Sequence, residues 1–221
     1  MNDNAHRQMS DSFLVAAFVV LSGGLQDAYT YFCRSSVFAN AQTGNIVLFF
    51  ANLFEGNLPG AVRYAVPVIA FFGGIFVAEA VHRRLKMRQR IHWRQLILAF
   101  EVLLLAIVGF IPQEYNPAAS ALVSFSCAMQ VQAFRTVHGY GYASTMCIGN
   151  LRSGAEALCA YCHDKREDSL RRAWTYFSVI TMFGLGAGAG AVLTKSTGEH
   201  AIWCSCLLLS VAILLMCRDR R

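Results

Sequence analysis

The chain has 221 residues, 56% of them hydrophobic and 14% charged, with a formal net charge of +6 and a mean hydropathy of +0.43. A water-soluble domain runs at about 45–50% apolar and about 25% charged, so too few polar groups are present to cover a globule of this size. The excess of cations does not imply nucleic acid, because the basic residues sit in short connections between apolar runs, where membrane topology collects them. Nor do eight cysteines make a disulfide framework. Cys127, Cys204, Cys206 and Cys217 lie inside apolar runs, where a thiol behaves as a small hydrophobe.

Residues 12–26 carry no charge and read as the first membrane helix. A retained helix is favoured over a cleaved signal, since the leader sets Arg7 against Asp3 and Asp11 and the apolar stretch runs through Ala28 without an A-x-A end. Runs 64–81 and 95–111 hold one glutamate each, Glu79 and Glu101, while 117–134, 173–194 and 201–217 hold no charge. With a few flanking residues, each suits the roughly 17–25 residues that cross about 30 Å of hydrocarbon. Lipid offers no partner to a free backbone N–H or C=O, so each crossing is expected to be helical. Two shorter segments lie between them, 37–54 and 142–162. The second contains Arg152 and Glu156 together with Gly141, Ser144, Gly149, Ser153 and Gly154 in and beside it, a poor composition for a lipid-facing helix.

The chain also repeats itself. FANAQTGNI (38–46) resembles YASTMCIGNL (142–151), with Gly44-Asn45 and Gly149-Asn150 at an offset of 105, and Asp27-Ala28-Tyr29 falls on Gln132-Ala133-Phe134 at the same offset. VIAFFGG (68–74) matches VITMFGL (179–185) at an offset of 111, the polar insertion HDKRED (163–168) absorbing the difference, and His92-Trp93 lies near His200 and Trp203. The shared order of these matches predicts a single membrane domain, 1–221, of two halves, near 12–112 and 117–217. Each reads as long helix, short segment, long helix, long helix.

Charge decides how these are threaded. If all eight segments crossed, the cations would divide nine to nine, apart from an intramembrane Arg152. If neither short segment crosses, one side collects Arg7, six residues in 83–94, six in 135–172 and three at the C-terminus, sixteen in all, against Arg34, Arg63 and Lys195 on the other. That asymmetry predicts an all-α bundle of about six spans with both termini in the cytoplasm. A seven-span version with the N-terminus outside gives the same count; six treats the repeats alike. Three spans per half invert the second half relative to the first, the plan of many transporters, in which broken helices meet near the midplane. Segments 37–54 and 142–162 are expected to dip in from opposite sides, each glycine allowing a break and each asparagine capping the helix that follows.

Ionisable residues inside a membrane are functional candidates by default. Asp27, after Gly23-Gly24, reads as a proton or cation site or as an interfacial aspartate capped by backbone or paired with Arg34. Asn40, Gln42, Thr43, Asn45 and Asn150 line a path or bond neighbouring helices. Arg152 meets an anionic group or pairs with Glu156 four residues on. Glu101 is a protonatable carboxylate or a packing hydrogen bond, and Glu79 an edge ion pair with His82 or Arg83. Gly184, Gly186, Gly188 and Gly190 give two interleaved GxxxG spacings, for packing within the chain or for a homodimer seam. Cys159-Ala-Tyr-Cys162-His163 matches the CxxCH of haem attachment, but it falls on the basic side, so no haem is expected. HExxH, GxSxG, P-loop and dinucleotide motifs are absent from the sequence. His82, His92, His138 and His163 lack metal-ligand spacing. Neither an enzyme nor a cofactor is expected.

GGLQDAYTYF followed by VFANAQTGNIVLFFANL resembles the hallmark of the YoaK-like family of bacterial membrane proteins, which carry a domain of unknown function. The resemblance spans nearly the whole chain. The second copy departs from the pattern: Val131-Gln132-Ala133 stands where the family has Gln-Asn-Ala, and Ile148-Gly149-Asn150 where it has Thr-Gly-Asn. The resemblance implies a protein of the bacterial inner membrane, sometimes described as a permease, with no established substrate. The expectation is therefore a small-molecule permease or secondary transporter in the lipid bilayer. Asp27 couples to a proton or cation, Gln42, Thr43, Gly44, Asn45, Gly149 and Asn150 contact substrate, and Gln132 and Arg152 lie opposite. The alternative is a non-transporting scaffold or assembly factor.

Overall fold

The computed structural model describes residues 12–85 and 93–218. Arg7, Lys86, Arg88, Arg90, His92, Arg220 and Arg221, which enter the charge count and the repeat, lie outside them. The described residues form an all-α bundle: α1 (Phe13–Cys33), α2 (Gln42–Phe54), α3 (Leu58–Leu85), α4 (Trp93–Val108), α5 (Asn116–Ala133), α6 (Cys147–Asp164), α7 (Glu167–Thr197) and α8 (Trp203–Arg218). A two-rung antiparallel ladder, β1 (Thr136–Val137) on β2 (Tyr140–Gly141), precedes α6. Its turn residues His138 and Gly139 have φ of 51° and 82°, the pair of positive values that a tight two-residue hairpin of the I′ kind requires.

Composition explains the helices and their surroundings. Phe13–Cys33, Leu58–Arg84 and the run Glu167–Arg218 are long and apolar enough to cross a bilayer. The outside is apolar as well. Phe54, Ile69, Phe110, Val192, Leu207 and Leu214 are each at least 67% exposed, a skin that belongs against lipid rather than water. By contrast α2, at 13 residues, rises only about 20 Å and falls short of the hydrocarbon thickness.

The packing has two-fold symmetry. The α1 helix packs on α7 as α5 packs on α3; α2 lies on α3 as α6 lies on α7; α4 lies on α5 as α8 lies on α1; and α4 meets α8 at the centre. The halves are inverted. Ser120, Cys127 and Gln130 of α5 reach the Arg34 carbonyl, Gln26 and the Val19 carbonyl of α1 at 3.3, 2.6 and 3.2 Å, so the opening helices of the two halves are antiparallel. Fully buried Val19, Leu98, Leu105, Val123 and Leu209 form the core between α1, α4, α5 and α8.

Among the described residues, one cation lies inside this core. Arg34, fully buried at the end of α1, donates from Nε to the Tyr29 hydroxyl at 2.8 Å, from Nη1 to Asn116 Oδ1 at 3.0 Å and from Nη2 to the Val108 carbonyl at 3.0 Å. It fastens the end of α1 to the end of α4 and the start of α5, and its donors do not go to Asp27. An ammonium cannot reproduce a three-way planar fork. Because hydrogen bonds from charged groups are worth about 1.5–3 kcal/mol each, Arg34→Lys is expected to cost about 2–4 kcal/mol, read as a lower melting temperature of the purified protein. A melting temperature equal to wild type would show that the fork is not a fastening.

Candidate functional site

Each half sends an arm back into the bundle. After α1, Ser35 and Ser36 take positive φ of 70° and 56°, and the chain reverses along the helix it has just left. Phe38 stacks on Tyr31 with ring centroids 4.8 Å apart, Ala39 N–H donates to Thr30 Oγ1 at 3.1 Å, and Asn40 N–H donates to Asp27 Oδ1 at 2.7 Å. Asn40 Nδ2 reaches the Gly23 carbonyl at 3.3 Å. In the second half Gln130 Nε2 donates to Ser144 Oγ at 3.4 Å, and the Thr145 methyl packs on Gly23. Both arms therefore end against the same stretch of α1.

The Gly-Asn pairs hold the arms. Asn45 Oδ1 accepts from Phe38 N–H at 3.2 Å while Nδ2 donates to the Phe38 carbonyl at 2.7 Å. Asn150 does the same to Ala143, at 3.3 and 2.7 Å. This corrects the expectation that the asparagines cap the following helices. The N-cap positions are Ala41 and Met146, and neither makes a side-chain cap. Asn45 and Asn150 sit within the first turn and turn outward onto the arm seven residues earlier.

Two helix starts without side-chain caps thus meet across a cavity of about 920 Å³. One end is formed by Asp27 and Asn40–Thr43 and the other by Thr145–Asn150; Val68, Phe71, Phe72 and Ile75 of α3 make an apolar wall, and exposed Arg135 stands at the rim. Pro67 breaks the hydrogen-bond ladder of α3 beside that wall. Asn40 Oδ1 and Thr145 Oγ1, buried polar atoms of lining residues, have no partner among the described residues. The N-terminal end of a helix carries about half a positive charge and free N–H groups, and it binds anions and polar oxygens.

Of the residues expected at a site, Asp27, Gln42, Thr43, Gly149 and Asn150 line the cavity; Gly44, Asn45, Gln132 and Arg152 are not among the lining residues. Gly44 faces the Phe38 ring, and fully buried Asn45 is occupied by the Phe38 backbone and Gln42. Gln132 donates to Glu79 Oε2 at 2.8 Å. Arg152 Nε meets Glu156 Oε1 at 2.9 Å on an exposed face, the i,i+4 pairing open to two long side chains in one helix. Thr145, Arg135 and the α3 wall also line the cavity and were not expected at a site. Thr145 had a signal, since the offset of 105 places it on Asn40. The wall had none, because apolar residues facing a cavity and apolar residues facing lipid look alike.

Behind the cavity lies a second buried carboxylate. Glu101, fully buried, accepts from Gln26 Nε2 at 3.0 Å, and Gln26 also bonds Ser22 and Cys127. Glu79 forms the edge pair anticipated for it, with Arg83 at 2.8 Å.

A family model described as "Protein of unknown function (DUF1275)" matches residues 15–215. The chain belongs to this family, the one that the YoaK-like resemblance indicated. No curated protein and no solved structure matches it.

Proposed function

We propose that this membrane protein is a small-molecule permease, a secondary transporter of six spans whose substrate occupies the cavity between α2 and α6. The observation that carries the reading is the convergence of two helix starts, from antiparallel halves, on one cavity with orphaned polar atoms. Inverted repeats that bring broken helices to a common site are the architecture of alternating access, in which one half rocks against the other. Asp27 is the coupling group. Ionised, its carboxylate holds the first arm through Asn40 N–H; protonated, it accepts that bond less strongly and loosens the arm. The sixteen-to-three division of cations, together with the like treatment of the two repeats, supports both termini in the cytoplasm of a bacterial inner membrane.

Cys147 lines the cavity and supplies the test. A protein with its other cysteines replaced is reconstituted in sealed vesicles and exposed to a membrane-impermeant methanethiosulfonate. A permease exposes Cys147 to water, and Asp27→Asn changes its labelling rate roughly fivefold or more, the lower end of ordinary coupling between sites. A thiol that does not label from either side, in wild type and variant alike, would return the protein to the scaffold alternative.

A further inference from the structure

The two arms are held alike, each by the asparagine seven residues on, but they differ in charge. In the first half a carboxylate is built in, Asp27 Oδ1 lying 2.7 Å from Asn40 N–H just before α2. In the second half Thr145 stands in Asn40's place, and the counterpart of Asp27 is Gln132, whose amide is turned to Glu79; its neighbour Val131 carries no charge either. The start of α6 therefore holds its arm as the start of α2 does, but among the described residues no carboxylate is bonded to it. Its Thr145 hydroxyl is buried, 6% exposed and without a partner, and Gly149 leaves open space where a Cβ would project.

We infer that the cavity takes an amphipathic hydroxy-carboxylate, whose carboxylate occupies at α6 the position that Asp27 occupies at α2. The inference rests on the permease reading of this cavity and names its substrate class. Charge supports a single negative charge. Two helix starts contribute about half a positive charge each, Arg135 contributes one and Asp27 removes one, which leaves room for one more anion. A doubly charged phosphate would be under-neutralised, and phosphate sites characteristically use several cations or a bidentate arginine. Thr145 Oγ1 donates to the carboxylate. Asn40 Oδ1, the other buried atom without a partner, accepts from a hydroxyl beside it, since the Asn40 amide and the Thr145 methyl both lie on Gly23. Val68, Phe71, Phe72 and Ile75 receive the apolar body.

The probe is 2-hydroxyhexanoate, compared with 2-hydroxyhexanamide, which has the same shape without the charge. Binding is measured by calorimetry on the purified full-length protein in lipid nanodiscs. The carboxylate is expected to bind about tenfold or more tighter than the amide, a difference of about 1.4 kcal/mol. Gly149→Ala, whose methyl enters open space, and Thr145→Val, which removes only the hydroxyl, are each expected to weaken it about tenfold while the melting temperature does not fall. A residue that only packs would not separate binding from stability in this way. Equal binding of acid and amide, wild-type affinity in both variants, or no binding at millimolar acid would each overturn the inference. If Cys147 labels and responds to Asp27→Asn while the acid fails to bind, the ligand class falls and the permease reading stands. An unreactive Cys147 removes both.

Discussion

Alanine at Gly24 or Gly186 is expected to lower the melting temperature steeply, and valine to prevent assembly, whereas alanine at Gly184 or Gly188 is expected to do neither. The difference is one of face. A Cβ on Gly24 would collide with the Phe183 carbonyl and the Ala187 N–H of α7, and a Cβ on Gly186 with the Leu21 carbonyl of α1. These obstacles are backbone atoms, which cannot turn aside as a flexible side chain can. Gly190 meets Leu25 one turn further on, which shows α1 and α7 running parallel, and Gly74 makes the equivalent approach to the Phe125 carbonyl across α3 and α5. Small residues at such crossings let backbones approach closely, the main source of helix association where lipid removes the hydrophobic drive. Overpacking costs about 1–3 kcal/mol per position, and in a chain of this size about 1 kcal/mol moves the melting temperature by about 2–4 °C. Around Gly184 and Gly188 there is open space, so alanine there gains up to about 0.5–1 kcal/mol of helix propensity. Circular-dichroism melts of the four alanine variants in one detergent decide the matter. Equal losses at all four positions would show that the interleaved spacings do not divide between an inner and an outer face.

That division shows what a linear reading can and cannot deliver. The GxxxG pattern was legible, as were the apolar runs that became α1, α3, α7 and α8 and the repeat whose halves pack with two-fold symmetry. Periodicity survives in the sequence because burial selects it position by position. The face on which a glycine lies depends on where the partner helix crosses, and nothing within residues 184–190 records that. The same holds at the site. Asp27 could be picked out because a charge amid apolar residues is costly, and Gly149 and Asn150 because they recur. Arg152 drew attention for the same reason as Asp27, yet it lies on an exposed face of α6 with Glu156 beside it. Thr145 carries no charge, and the repeat marks it only as the counterpart of Asn40. Its importance comes from two arms ending against one segment of α1, a fact of three dimensions only.

The asparagines give the sharpest test of that distinction. Asn45 is fully buried and Asn150 is 3% exposed, and each satisfies both the N–H and the C=O of one arm residue. Truncation to alanine leaves two buried backbone groups unpaired at about 1–3 kcal/mol each. Asn45→Ala and Asn150→Ala are therefore each expected to cost about 2–5 kcal/mol without any ligand present. Asn45→Asp does not restore the bond. It keeps an acceptor for Phe38 N–H but sets an oxygen against the Phe38 carbonyl and places a charge where no cation waits. Arg152→Ala, which breaks an exposed helix pair, is expected to cost at most about 0.5 kcal/mol. A substrate contact would behave oppositely: stability without ligand would hold and only binding would fall. Wild-type melting temperatures in both asparagine variants would thus move these residues from holding the arms to recognising the cargo. Matched losses in the two would instead show that the repeat was kept to pin two broken segments, leaving recognition to the residues in which the halves differ.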